Sequence, residues 1–360
     1  MMDIFKKTDK SFLIKCGILL IIPIIIIIIL AIIRGCSSRG NNYSSYEQKM
    51  TTKASTYFKQ HKLLPSKEGK EVVVTLDELM LDGLKSPNKY LKDSTCTGSV
   101  TVQKNGSEYF YTPYLDCSEY KTDYLVNHIK KDITTKESGL YQINNEYIYK
   151  GNKVNNYLSF FGNIYRIIKI DSNGNLRLIK EQRQDRSIQW DDKYNSSKED
   201  NVGINEYYNS YIYDQVWSDY NNIKLFNKEV KKHMIGHTVC LDKKDENDLS
   251  MNESCEKPLH NQYISIPTIY DYELASYDQN CKQIGDGACS NFNYLDDVLT
   301  STWTVNTSAS DDYSVYYLAG SYIDTQSANN YKNYYWVISI SGNELYISGS
   351  GTEKDPYIIK

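Results

Sequence analysis

Eighteen consecutive residues without a charge, Cys16–Ile33 (CGILLIIPIIIIIILAII), constrain this chain more than any other feature in it. A helix of that length rises about 27 Å, close to the hydrocarbon thickness of a bilayer. Lys6, Lys7, Lys10 and Lys15 precede the run, and Arg34 and Arg39 follow it. The lysine excess on the N-terminal side predicts a cytoplasmic segment over 1–15, a transmembrane helix over 16–33 and everything beyond it outside. Pro23 sits within the run, where membrane helices tolerate it. A cleaved signal would carry a shorter apolar core and small residues at the cut. Here the run closes on Ile-Ile-Arg-Gly-Cys, and Arg34 fits a lipidation signal at Cys36 poorly. A retained signal anchor in the cell membrane is therefore the expectation. Two chains would associate through this helix, or through Cys36 if it stays unpaired outside.

The cysteines agree with an outside location. Beyond Cys16 and Cys36 there are six, in three local pairs: Cys96 with Cys117, Cys240 with Cys255, and Cys281 with Cys289. Six cysteines allow 15 connectivities, of which local pairing is the simplest, and an even number suits an oxidising compartment. The first pair also has a geometric argument. Val100 and Val102, then Tyr109 and Tyr111, alternate with polar residues around Asn105-Gly106, a strong hairpin signal that sets Cys96 opposite Cys117.

Charge excludes one class of partner. Lys and Arg total 41 against 45 Asp and Glu, so the basic excess of a general nucleic-acid binder is missing. The 34 Tyr against eight Phe read mainly as codon usage in an AT-rich bacterial genome.

Along the chain the pattern is that of an α+β protein. Tyr46, Met50, Ala54, Tyr57, Phe58 and His61 recur at helical steps and end before Pro65, giving a helical stalk over 34–64. A small α+β unit follows over 65–122. In it Val72–Val74 forms a strand, Thr75-Leu-Asp-Glu78 is a capping box, Gly83 stops the helix, and the cystine hairpin closes the unit. Residues 123–138 read as a short helix and connector. From 139 to 360 the chain is mostly strands, at 141–149, 157–161, 165–170, 176–179, 314–318, 335–340 and 344–348, with helices expected near 225–236 and 269–276.

The stretch Asn156–Ile179 (NYLSFFGNIYRIIKIDSNGNLRLI) resembles the opening of a family of secreted or membrane-anchored surface proteins from low-GC Gram-positive bacteria and their wall-less relatives. Tyr165 stands where that family commonly has Trp. Further elements match in order: Trp190-Asp191, Gly203–Asn205, Ile266–Tyr272, Trp303-Thr304, and the tail Gly349-Ser-Gly-Thr352 with Asp355-Pro-Tyr357. The resemblance covers residues 139–360 and implies a C-type-lectin-like or formylglycine-enzyme-like fold. Residues 44–122 are similar to pseudopilin-like ectodomains. Phe12, however, follows Ser11 rather than Gly, and the apolar segment lacks the family's Glu, which puts pilin-type processing and assembly in doubt.

Catalytic chemistry is hard to find. There is no GxSxG, SxxK or Gly-rich phosphate loop. His233 and His237 are four apart on an expected helix, with Cys240 nearby, but no Glu lies between the histidines and Cys240 has a disulfide partner. Asp171, Asn173 and Asn175 alternate like early calcium ligands, yet Gly174 falls at the fourth position of such a loop, which reads as a turn. The acidic runs at 242–250 and 311–312 read as solvated loops. The lectin-type Glu-Pro-Asn and Trp-Asn-Asp calcium motifs are missing, and Cys281 and Cys289 read as a structural clasp. No metal, cofactor or catalytic residue is thus expected.

Two tyrosine groups remain. One runs from Tyr207 to Tyr220. The other, in a loop-like stretch, comprises Tyr313, Tyr316, Tyr317, Tyr322, Tyr331, Tyr334 and Tyr335. Exposed aromatics stack on sugars and protein partners at low entropic cost. The expectation is a non-catalytic, surface-displayed binding or adhesion protein whose ligand is a glycan, the cell wall or a protein. The alternatives are a structural subunit of a pseudopilin-like assembly system and a cell-wall hydrolase.

Overall fold

A computed structural model describes residues 42–67, 70–105, 108–191, 205–245, 255–283 and 285–359. The apolar run at 16–33 and Cys36 lie outside the described residues. Among those described, no helix is long and apolar enough to cross a membrane. The fold is mixed α+β with more strand than helix, and it divides into two compact units.

The smaller unit draws on the described residues up to Leu64, on Glu71–Val102 and on Tyr111–Thr122. Its helix α1 (42–60) buries Tyr43, Tyr46, Met50, Ala54 and Phe58, one face at three- and four-residue steps. Tyr57 is half-buried and His61 exposed, so the apolar stripe runs through Phe58 and leaves both at its margin. Glu47 is fully buried on the same helix; it accepts hydrogen bonds from Thr122 Oγ1 at 2.6 Å and Tyr120 OH at 2.9 Å. A three-stranded sheet runs in the order β1 (Glu71–Thr75), β2 (Thr97–Asn105), β3 (Glu108–Asp116). Between β1 and β2 lie α2 (Leu76–Leu81) and α3 (Pro87–Leu91). The capping box at α2 is formed as the sequence reading expects. Glu78 N donates to Thr75 Oγ1 at 3.3 Å and Thr75 N donates to Glu78 Oε2 at 2.8 Å. Gly83 then leaves the helix at φ +100°. The hairpin turn at 106–107 lies outside the described residues, but the bond between Cys96 and Cys117 closes the open end of β2 and β3.

The larger unit contains Asp123–Lys360 with the short segments Pro65–Lys70 and Gln103–Phe110. It begins with α4 (Leu125–Ile129), within the stretch read as a short helix and connector, and this helix buries Leu125, Val126 and Ile129. In chain order there follow β4 (Gly139–Ile143), β5 (Glu146–Lys150), β6 (Tyr157–Phe160), β7 (Asn163–Ile170), β8 (Leu176–Lys180), β9 (Ile188–Gln189), α5 (Tyr211–Asn221), α6 (Lys228–Lys231), β10 (Met234–Ile235), β11 (His237–Cys240), β12 (Pro258–Gln262), α7 (Ile269–Glu273), β13 (Thr300–Thr307), β14 (Ser314–Ala319), β15 (Ile323–Ser327), β16 (Tyr331–Lys332), β17 (Val337–Ile340), β18 (Tyr346–Ser348) and β19 (Tyr357–Ile359).

A nine-stranded sheet in the order β10-β17-β8-β7-β6-β19-β18 organises this unit. β7 shares one edge between two partners: Asn163–Arg166 pair with β6, and Lys169–Ile170 with β5, which carries β4. Every pairing is antiparallel except β19 on β6, which brings the C-terminal strand back beside the first motif of the unit. β17 is buried at all four positions and β8 at its first four, as expected of central strands covered on both faces. A smaller sheet, β13-β14-β15, and two ribbons, β11-β12 and β9-β16, pack around it.

Two tryptophans lock these parts together reciprocally. Trp190 Nε1 donates to Thr304 O at 2.9 Å, and Trp303 Nε1 donates to Ile188 O at 3.0 Å, with both rings fully buried. The expected helix over 225–236 shrinks to the single turn α6. Val230 is its one buried residue, and from Met234 the chain joins the sheet edge beside β17. The tyrosine group at 207–220 contains α5, which the sequence reading leaves unassigned. Tyr213, Trp217 and Tyr220 follow one another at helical spacing and make tilted and edge-on contacts in series, so these three pack together, while Tyr208 is exposed.

Candidate functional site

The metal readings fail for geometric reasons. His233 and His237 do not share a helix. His233 follows α6 and bonds Glu344 through Nδ1 at 2.9 Å, whereas His237 starts β11 and meets Ser265 Oγ through Nε2 at 3.0 Å. Cys240 is bonded to Cys255, and Cys281 to Cys289, so neither pair offers a thiolate. The carboxylate of Asp171 is taken up by its own turn: Oδ1 accepts from Asn173 N and Asn175 N, both at 2.8 Å, and Oδ2 from Asn175 Nδ2 at 3.2 Å. Asp242 closes the Cys240–Cys255 loop by accepting from Glu256 N and Lys257 N, and Asp312 pairs with Lys243. Residues 246–250 lie outside the described residues.

The structure nonetheless gathers several of these side chains. Asp171, Asn173, Asn175, His237 and Cys240 line one polar pocket of about 300 Å³. It is built around a buried ion pair that spans 94 residues of sequence. Arg177 of β8 donates Nε and Nη2 to the two oxygens of Asp271 in α7, each at 2.8 Å. Asp271 also caps its helix by accepting from Thr268 N at 2.8 Å. Burial alone would raise this carboxyl, but the guanidinium and the cap hold it below the usual carboxylate range. Burial, reinforced by the charge of Arg177, drives His237 well below the ordinary histidine range, so its imidazole is neutral. Both oxygens of Asp271 are thus engaged by Arg177, and one of them also by the helix cap.

The aromatic residues divide sharply. Tyr316, Tyr334 and Tyr335, read as binding aromatics, are core residues. Their rings are buried, and their hydroxyls donate to Lys244 O, to Asp219 Oδ2 and to Val298 O. They present no ring to a ligand. Tyr313 and Tyr331 are 43% and 67% exposed but stand apart, Tyr313 before β14 and Tyr331 paired with Gln189 on β16. Tyr317 and Tyr322 do come together. Tyr317 pairs across β14–β15 with Asp324, its ring lies 3.8 Å beneath Lys332 Nζ, and Tyr322 is 48% exposed at the β14–β15 turn. Partial burial first, then the neighbouring Asp324 and Tyr322, raise the Tyr317 phenol above its ordinary range. A half-buried ring beside an exposed one, flanked by one carboxylate and one ammonium, offers stacking surface, hydrogen-bond acceptors and donors at a single place. Sequence reasoning singles out both tyrosines. It could not see Asp324 or Lys332, because cross-strand register decides which polar residues join them.

Another buried acid lies away from this cluster. Glu273 of α7 is fully buried, accepts from Gly285 N at 3.3 Å, and has no partner for Oε2 among the described residues. Burial raises its pKa to about 8. The disulfide-clasped loop Cys281–Cys289 supplies Gly285, which makes Glu273 an internal anchor of that loop. No family model, no curated protein and no solved structure matches this chain.

Proposed function

We propose that this chain is a membrane-anchored, extracellular binding protein, held by the apolar run at 16–33 and taking a glycan on its larger unit. The observation that carries the ligand class is the cluster of Tyr317, Tyr322, Asp324 and Lys332. Sugar rings stack their C–H faces on exposed aromatics, and their hydroxyls take hydrogen bonds from neighbouring charged side chains. Three closed disulfides support a life outside the cytoplasm, where such bonds persist. A C-type-lectin-like fold for residues 139–360 belongs to the same proposal, without the calcium site of that class.

The test is binding of the labelled full-length chain to immobilised oligosaccharides and wall polysaccharide, with and without EDTA. Saturable binding that EDTA leaves unchanged is the expected result, because the cluster contains one carboxylate and no other metal ligand. Absence of binding to every glycan would overturn the proposal.

A further inference from the structure

A second pocket, of about 350 Å³, lies where the opening motif of the larger unit meets its tail. Its chemistry is set by Arg166 of β7, which is 4% exposed. The Arg166 guanidinium lies 3.8 Å from the centroid of Tyr157 and 4.9 Å from that of Tyr294. Its Nε donates to Asn156 Oδ1 at 2.6 Å, and Asn156 is itself fixed by donating to Ile167 O at 2.8 Å. The guanidinium is thereby oriented and desolvated, but its hydrogen bonds are not filled. Nη1 forms an ion pair with Glu181 Oε2 at 3.6 Å, longer than a hydrogen bond, and Nη1 and Nη2 donate no hydrogen bond to any other group among the described residues. Glu181 Oε2 in turn is buried without a hydrogen-bond partner. Burial raises the Glu181 carboxyl, and Arg166 offsets this in part.

A buried donor fork and a buried acceptor that face one cavity and meet only in a long ion pair keep unfilled hydrogen-bonding capacity that a ligand can complete. A guanidinium fork matches a carboxylate in shape and charge. The pocket as a whole is not anionophilic, however. Two cations, Arg166 and Lys153, meet three carboxylates, Glu181, Asp297 and Glu353. A simple anion would meet an excess of negative charge, and a simple cation would leave Arg166 unfilled. A molecule carrying both groups a short distance apart satisfies both. Most of the remaining lining is polar, including Asn155, Asn293 and Thr352, and suits a small or polar side chain.

We propose that this pocket binds a free α-amino acid with a small or polar side chain, its carboxylate on Arg166 and its ammonium among Glu181, Asp297 and Glu353. The site is independent of the glycan-binding cluster. Isothermal titration of the full-length chain with glycine, L-alanine, D-alanine and L-serine tests it, with acetate and methylamine as half-ligands. The expected result is saturable one-to-one binding of at least one amino acid, with each half-ligand about tenfold weaker or more. Arg166→Lys keeps the charge but loses the fork. Glu353→Gln changes a residue near the C-terminal turn and leaves the buried guanidinium in place. Each should weaken binding by about tenfold. If Arg166→Lys does not fold, Glu353→Gln decides alone. No heat with any of the four amino acids overturns the proposal. So does acetate binding as tightly as glycine, or affinity unchanged in the folded variants.

Discussion

Three charged residues in apolar surroundings account for much of what is specific in the larger unit. Arg177 sits in Leu-Arg-Leu-Ile, Arg166 in Tyr-Arg-Ile-Ile, and Glu273 among the buried residues of α7. A charge buried among apolar neighbours has to find a partner, a signal that the sequence reading does not use. The identity of the partner is not legible there, since Asp271 lies 94 residues from Arg177. Breaking that pair leaves an uncompensated buried charge. Arg177→Ala is expected to cost about 3–5 kcal/mol in urea denaturation, and an apolar double replacement of Arg177 and Asp271 to recover part of the loss. Glu273 makes a pH prediction. Its carboxyl titrates near 4.5 unfolded and near 8 folded. Between those values the folded chain holds a proton that the unfolded chain has released, so stability falls as pH rises through that window, by at most roughly 1.4 kcal/mol per pH unit. Glu273→Gln keeps an acceptor for Gly285 and removes this slope. Melting temperatures of the two proteins should diverge as pH rises from about 5 to about 8, and parallel curves would contradict the assignment.

Elements with local signals were readable, and those defined by distant partners were not. The capping box at Thr75, the strands around the Asp171–Gly174 turn and the cystine hairpin all follow from neighbouring residues. The helix expected over 225–236 gives way to pairing of Met234 and Ile235 with β17, a tertiary gain that outweighs helix propensity over a few residues. The parallel docking of β19 on β6 has no local signature at all. Gly351 enables it. At φ +72° it lies in the left-handed region, and a Cβ there would meet Asn155 O at 2.5 Å. Gly351→Ala should therefore destabilise the unit by about 1 kcal/mol or more, measured by thermal melting. For the smaller unit, replacing Cys96 and Cys117 by Ser reopens a loop with a sequence separation of 21, at an expected cost of about 3 kcal/mol.

For the molecule as a whole, the proposal joins the apolar run at 16–33 to two folded units closed by three disulfides. Of the seven tyrosines read as binding aromatics, core packing claims Tyr316, Tyr334 and Tyr335, and Tyr313 and Tyr331 stand apart, which leaves Tyr317 and Tyr322 for the proposed cluster. The most direct measurement compares glycan-array binding of the full-length chain with that of Tyr317→Ala, Tyr322→Ala and, as an exposed control, Tyr331→Ala. The account predicts that the first two lose binding by about tenfold or more, as expected for lost stacking contacts, with the melting temperature of the exposed Tyr322→Ala close to that of the parent, and that the control binds normally. Equal binding by all four proteins would contradict it.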